Sequence, residues 1–402
     1  MRKRNVIVGQ IALWCGLWLW GSVFSAGQAD PQIRSVNRNG FSRSAVYPSG
    51  GTIPWFIGIS DLTADGAPDL ILINKESATV ATLAGSGDGS FQQAVTREAG
   101  ADPRRAVVAD LNEDRIPDLI VMGYFANGFT VWLGAGNGNY LPGAFYGLIG
   151  HGNMLAVADF NGDGHLDLVA ESDGSGKPIT MYLFLGNGAG GLTAAQSYTT
   201  PFFSAFDIDV ADMDGDANPD VILATGDPGG PILIFRDNGA GEFAAPIALP
   251  PIATPPAIND GTIQLVCVDV NGDGLPDLIV GHIDPEMVSV RLNRGNNTFD
   301  LAFTLPTPLP AGIAAGDINR DGKPDLVIAN FSANTVSYAL NLGGGQFQTP
   351  GILGVGDKPK SVALADFNRD GWLDIAVANS GDGSVTVWLN DGGFRPRLPV
   401  MR

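Results

Sequence analysis

Asp159-Phe160-Asn161-Gly162-Asp163-Gly164-His165-Leu166-Asp167 is a nine-residue stretch with oxygen-bearing side chains at positions 1, 3, 5 and 9. Glycine at position 6 lets the backbone turn sharply, so alternate side chains converge on one point. Hard cations such as Ca²⁺ take about six to eight oxygens in a flexible cage, and this spacing supplies them. Leu168-Val169-Ala170 follows, a short apolar run that reads as a strand rather than a helix.

The loop occurs seven times, at intervals of 48 to 57 residues. Position 1 is Asp61, Asp110, Asp159, Asp212, Asp269, Asp317 and Asp366. Position 3 is Thr63, Asn112, Asn161, Asp214, Asn271, Asn319 and Asn368. Position 5 is Asp65, Asp114, Asp163, Asp216, Asp273, Asp321 and Asp370. Position 9 is Asp69, Asp118, Asp167, Asp220, Asp277, Asp325 and Asp374. These residues are the candidate metal ligands, for up to seven Ca²⁺. Position 7 runs through Ala67, Ile116, His165, Asn218, Leu275, Lys323 and Trp372, as expected where only a backbone carbonyl is used. Position 2 is always apolar, from Leu62 to Phe367, so one side of each loop faces a core. The pattern opens like the EF-hand calcium loop but closes at position 9, without a Glu at 12.

These seven loops and the Leu-Ile-Val strands behind them resemble the FG-GAP-like, or VCBS-type, repeats that build β-propellers, including the head of integrin α subunits. The resemblance covers residues 41–398. It implies an all-β, seven-bladed β-propeller, with calcium held between the first and second strands of each blade, and it implies a binding or adhesion function.

The ends of the chain read differently. Arg2-Lys3-Arg4 precedes an apolar stretch from Val6 to Phe24, then Ser25, Ala26 and Ala29. This is the layout of a secretory signal peptide over residues 1–29, or of an N-terminal anchor if it is not cleaved. Residues 30–402 then form the single propeller, placed outside the cell, in a periplasm or on a cell surface. Without the signal, Cys267 is the remaining cysteine, so no intramolecular disulfide forms.

The net charge of −19 argues against nucleic acid as a partner. About half of the 42 acidic residues sit in the loops. Loss of Arg2, Lys3 and Arg4 and gain of seven Ca²⁺ would leave about −8, ordinary for a soluble domain. A repeat of about 50 residues holds four short strands. In the third repeat these are Met154–Ala158, Leu166–Ala170, Lys177–Leu185 and Leu192–Tyr198, separated by glycine turns. Asn39 to Tyr47 reads as an outer strand that clasps the last blade and closes the ring, with a further candidate from Asp391 to Val400.

Three loops depart from the pattern and are expected to bind metal more weakly. Arg115 and Ala217 replace the position-6 glycine, where a positive φ costs about 1 kcal/mol. Thr63 offers one neutral hydroxyl, and the Arg115 guanidinium is expected near the carboxylates of its own loop.

Nucleophile-elbow, zinc-protease and phosphate-loop signatures are absent, so the protein reads as a monomeric, non-catalytic module. Its partner, a protein or a glycan, is expected on the face opposite the loops. That face draws on Trp55, Arg104, Arg105, Tyr124, Phe125, Asn153, Phe202, Phe203, His282, Phe331, Lys358 and Lys360. His151 and His282 are expected in exposed loops there, and substitutions on that face to cost within about 0.5 kcal/mol. Two rivals remain. A lectin would repeat an aromatic on each third strand, but Trp132, Phe184, Phe235 and Trp388 alternate with Leu83, Arg291 and Ala339. A calcium-dependent polysaccharide lyase or hydrolase would need a base and cation together, hinted at by Arg104, Arg105 and His151.

Overall fold

A computed structural model describes residues 40–174, 177–226, 230–250, 262–295 and 298–394. The signal or anchor expected over residues 1–29 lies outside them, as does the end of the strand expected from Asp391 to Val400. Seven four-stranded antiparallel sheets stand around one axis. Blade 1 runs through Pro54–Ser60, Asp69–Asn74, Thr79–Leu83 and Val95–Glu98. The third repeat gives His151–Ala158, Asp167–Gly174, Lys177–Gly186 and Leu192–Thr199, matching the expected four strands.

The innermost strands form a closed circle, each packed on its two neighbours, with Pro54–Ser60 against Pro359–Ala365 at the seam. The chain closes that seam with its N-terminal end: Phe41–Pro48 pairs antiparallel with Ser384–Asn390 and becomes the outer strand of blade 7. Phe394 then folds back to meet the Phe41 ring edge-on at 5.6 Å. The clasp removes a free sheet edge and ties the two ends of the chain together.

Second strands such as Asp69–Asn74, Asp277–His282 and Asp374–Asn379 are buried along their whole length. They lie mid-sheet with a blade on either side, so they read as continuous apolar runs without alternation. The outermost strand of blade 1, Val95–Glu98, is exposed throughout.

The core divides into seven apolar clusters, one between each pair of adjacent blades. Each contains one position-2 side chain: Leu62, Leu111, Phe160, Met213, Val270, Ile318 or Phe367. The invariant apolar position of the loop is therefore the plug between its blade and the next. Burying such a side chain stabilises the fold by about 1.5–3 kcal/mol.

Candidate functional site

Each loop is a compact turn held by its own aspartates. In the loop at Asp317, Oδ1 accepts the Asp321 N–H at 3.0 Å and Oδ2 the Gly322 N–H at 2.8 Å. Asp321 Oδ1 in turn accepts the Lys323 N–H at 3.0 Å. The same bonds recur at Asp110, where Arg115 takes the glycine position with φ at 69°, and at Asp212, where Ala217 does so at 70°. The strain expected at those two positions is therefore present in the backbone. Arg115 itself makes no ion pair among the described residues, so the guanidinium expected beside the loop-two carboxylates is not found paired to them.

Position 9 does different work. Asp277 is fully buried: Oδ2 accepts the Val270 N–H at 2.9 Å and Oδ1 the Asn293 N–H at 2.8 Å. Asp69, Asp118, Asp167, Asp220, Asp325 and Asp374 repeat the arrangement, pinning the loop to the end of the third strand. Burial raises these carboxyls, to about 6 at Asp277 and about 7 at Asp325, against the pull of the amide donors. Two lone pairs per oxygen leave acceptor capacity beyond those amides.

A second relation closes around the ring. The carbonyl oxygen of each position-2 residue accepts a hydrogen bond from the next blade. The donor is the backbone N–H of Gly138, Gly190, Gly241 or Gly89 in four cases. It is the side-chain amide of Asn293, Asn341 or Asn390 in the other three, each at 2.8 Å.

The donor set suits a hard cation: it is all oxygen, with carboxylates at positions 1 and 5 of every loop. Asp212, Asp214 and Asp216 bring one carboxylate oxygen each within 4.8 Å of the others. Asp159 Oδ1 and Thr63 Oγ1 are buried and lack a hydrogen-bond partner, as ligand atoms would. Three loops carry a competing cation, Lys323 Nζ lying 3.2 Å from Asp321 Oδ2 in the sixth. Arg236 Nη1 is 2.7 Å from Asp214 Oδ2, and Arg369 Nη2 is 3.5 Å from Asp65 Oδ1.

At the opposite face the structure gathers residues from blades 1, 2, 3, 4, 5 and 7 into one polar recess. Arg104, at the start of blade 2, pairs with Asp102 at 3.0 Å and lies over the Tyr124 ring at 3.6 Å. Its Nη1 donates to Asn153 Oδ1 at 3.4 Å. Tyr124 packs against His151 at 4.5 Å and hydrogen-bonds Asp173, whose carboxyl is raised first by burial. Phe125 caps this group from solvent, 5.5 Å from His151 and 62% exposed. Deeper in, Arg105 pairs with buried Asp207 at 2.9 Å, and Asp207 also accepts from Gln264 and from the Leu265 N–H. Trp55 lies between these blades, with the Lys75 ammonium 4.4 Å and the Lys360 ammonium 4.5 Å from its ring centre.

Of the opposite-face residues expected from sequence, Trp55, Arg104, Arg105, Tyr124, Phe125, Asn153 and Lys360 come together. Phe331 and Lys358 form no hydrogen bond, ion pair or ring contact with this group among the described residues. Phe202 packs on the core between blades 3 and 4, while Phe203 is exposed. His282 is a correction: it is the last residue of a buried strand, 2% exposed, with Nε2 2.8 Å from Ser289 Oγ. Burial, with Arg291 next, lowers it to about 4, so it is a neutral core histidine. His151 is half-buried against Tyr124 rather than free in a loop.

Lys75, Asp102, Asp173 and Asp207 were not singled out by sequence. Lys75, Tyr124 and Asp173 share one register, at the end of a second strand, and that register was the available signal. The third-strand positions Leu83, Trp132, Phe184, Phe235, Arg291, Ala339 and Trp388 are all buried, each opposite the first apolar residue of its second strand. Those aromatics are core.

The FG-GAP-like repeat profile matches six overlapping segments, 61–121, 110–170, 159–223, 212–280, 269–328 and 317–377. No curated protein matches the sequence. Solved structures resemble the fold. A lectin of Agrocybe aegerita that recognises non-reducing terminal N-acetylglucosamine superposes with a TM-score of 0.54 at 19% identity, over 79% of this chain and 91% of that one. The periplasmic gluconolactonase of Pseudomonas aeruginosa gives 0.57 at 14%, over 76% and 86%. Hydrazine synthase of Kuenenia stuttgartiensis gives 0.58 at 14%, over 85% and 96%.

Proposed function

Because this chain belongs to the FG-GAP-like repeat family, we propose that it is a secreted, calcium-stabilised binding or adhesion module for a protein or glycan partner. In this reading the metal loops and the recognition site lie on opposite faces of one rigid ring. Calcium at positions 1, 3 and 5, with the position-7 carbonyl, neutralises clustered carboxylates and fixes the turn between the first two strands. The partner meets the recess around Arg104.

The observation that carries the recognition reading is the convergence on Arg104 of Asp102, Tyr124 and Asn153, with Phe125 exposed beside them. Arginine and aromatic side chains on rigid strand ends are the usual anchors of an interface. The protein works as a monomer, outside the cell or on its surface, and meets a membrane only through an uncleaved residue 1–29 segment.

A catalytic reading draws on the same recess, where Asp173 bonds Tyr124 beside His151. Enzymes do occur among its structural relatives. The experiment is a pull-down from a glycan array and a surface-protein extract, with wild type and Arg104→Ala/Phe125→Ala compared. Loss of capture in the variant, with an unchanged melting temperature, supports the module. Equal capture by both proteins sinks it.

A further inference from the structure

The recess holds four cations in a chain whose net charge is −19. Lys75, Arg104 and Arg105 are only 27%, 22% and 11% exposed at the side chain, so they are drawn inward and do not spread over a surface. Asp102, Asp207 and Asp173 answer them, the last hydrogen-bonded to Tyr124 and facing Arg104. Asp102 is shared, 3.0 Å from Arg104 and 3.8 Å from Lys75, while Asp207 is committed to Arg105 at 2.9 Å. Lys360 has no ion pair among the described residues; its ammonium rests over the Trp55 ring, as does that of Lys75. One indole thus holds two ammonium groups side by side. Its ring quadrupole attracts each of them, but a ring carries no net charge to neutralise either.

Gathering like charges in a low-dielectric hollow is costly unless something compensates them. Burial lowers Lys360 to about 8; Asp207 pulls the other way, and Lys75, Arg104 and Arg105 push it further down. The positive excess is therefore local and built into strand ends, against the overall field of an acidic protein. Preorganised donors of one sign are the usual form of a charged-ligand site.

We propose that the recess is an oxyanion site, in which Lys360, Lys75 and Arg104 take a carboxylate or phosphate group of the ligand. This deepens the recognition reading and rests on it for the location of the binding face. Trp55 is a positioning residue that holds the two ammoniums in place. Arg105 stays bound to Asp207 and shapes the floor.

The test is calorimetric titration of the calcium-loaded protein with glucuronate and with glucose 6-phosphate, anions that bind free calcium only weakly, and with glucose as the neutral control. Glucuronate or glucose 6-phosphate should bind and glucose should not; whichever anion binds tighter identifies the source of the group. Lys360→Met, which breaks no ion pair, should weaken that binding at least tenfold while the melting temperature holds. Arg294→Met, at an exposed cation just past the third strand of blade 5 and paired with Asp300 of the outer strand, should leave it unchanged. Trp55→Leu should weaken anion binding through Lys75 and Lys360, and Trp55→Phe, which keeps an aromatic face, should weaken it less. No binding of either anion by wild type, binding retained in Lys360→Met, or equal binding of glucose would each overturn the proposal. Partner capture that depends on Arg104 and Phe125 but survives Lys360→Met would overturn the anion site alone and leave the module intact.

Discussion

Arg369 of the seventh loop donates from Nη2 to the carbonyl oxygen of Asp65 in the first, at 2.9 Å, across the seam where the ring closes. Neighbouring loops are joined elsewhere by the same position 4. Arg320 reaches the Gly371 carbonyl at 2.8 Å and lies over the Trp372 ring. Glu113 meets His165 of the next loop and raises the imidazole. The loop face is thus a chain of contacts between loops, and Arg369 brings a fixed positive charge beside a carboxylate of the first loop.

That placement predicts which loops are handicapped. Arg369 stands near Asp65, and Arg236 pairs with Asp214. Each guanidinium repels an incoming cation by about 1 kcal/mol in a wet environment. Arg369→Met and Arg236→Met should therefore each tighten one calcium site about fivefold. Competitive titration against a chromophoric chelator reads this directly, and unchanged or weaker sites would contradict it.

A second prediction separates backbone strain from ligand loss. Asp163 and Asp114 make the same turn bonds, to the His165 and Ile116 N–H at 2.8 and 2.7 Å. In EDTA, Asp163→Ala and Asp114→Ala should cost equal stability. In millimolar calcium Asp163→Ala should cost more, because Arg115 at φ 69° strains the second loop and weakens its metal. Thermal melts of both variants in both buffers decide it. An identical melt of the wild type in EDTA and in calcium would remove the metal altogether.

The fold was legible because its period is written in chemistry. Seven loops with apolar position 2 and carboxylate position 9 fixed the blade count, and the outer strand before Asp61 named the closing end. The position-9 aspartates read as metal ligands; what sequence could not show is that each accepts backbone amides from two segments, since one of those donors lies 16 to 19 residues downstream. The recess was half legible for a related reason. Loop residues could be assigned to a face, but which of them converge depends on the rotation of each blade about the axis. His282 was misplaced because the second strand of blade 5 runs one residue further into the core than its apolar run suggests.

The position-9 network gives a third prediction. Asp277→Asn would place an amide N–H₂ against either the Val270 or the Asn293 N–H. An unsatisfied buried donor costs about 1–3 kcal/mol. Asp277→Asn should therefore destabilise the protein in EDTA as well as in calcium, whereas Asp273→Asn, on the exposed turn, should matter chiefly in calcium. Denaturant melts of both variants without metal test the division, and equal behaviour would erase it.

The two adjacent arginines should part company in a fourth. Arg104 is a recess residue paired with half-buried Asp102, so Arg104→Ala should cost within about 1 kcal/mol. Arg105→Ala strands buried Asp207 and should cost about 3–5 kcal/mol. Both had been expected to be stability-neutral from their place on the opposite face. Arg105→Ala/Asp207→Leu should recover much of the loss, and a melt of the double variant no better than the single would refute the pairing.

Glu171 carries the last prediction. It is fully buried in blade 3, with both carboxyl oxygens outside good hydrogen-bonding geometry. Burial first, and Asp173 second, push its carboxyl well above the ordinary range, against the weak pull of the Met154 amide. The folded protein therefore keeps the proton at pH values where the unfolded chain has released it. Above the unfolded value near 4.5, each rise in pH favours the unfolded chain until the folded carboxyl also ionises, so this residue costs stability at neutral pH. Glu171→Gln keeps the shape and removes the titration. It should raise stability at pH 7 by about 1 kcal/mol, and the gain should shrink towards zero as the pH falls to 4.5. Urea melts of wild type and variant at several pH values give both curves. A gain independent of pH would show that Glu171 does not titrate with folding, and a loss at pH 7 would show that its ionised form is held by a group the fold supplies.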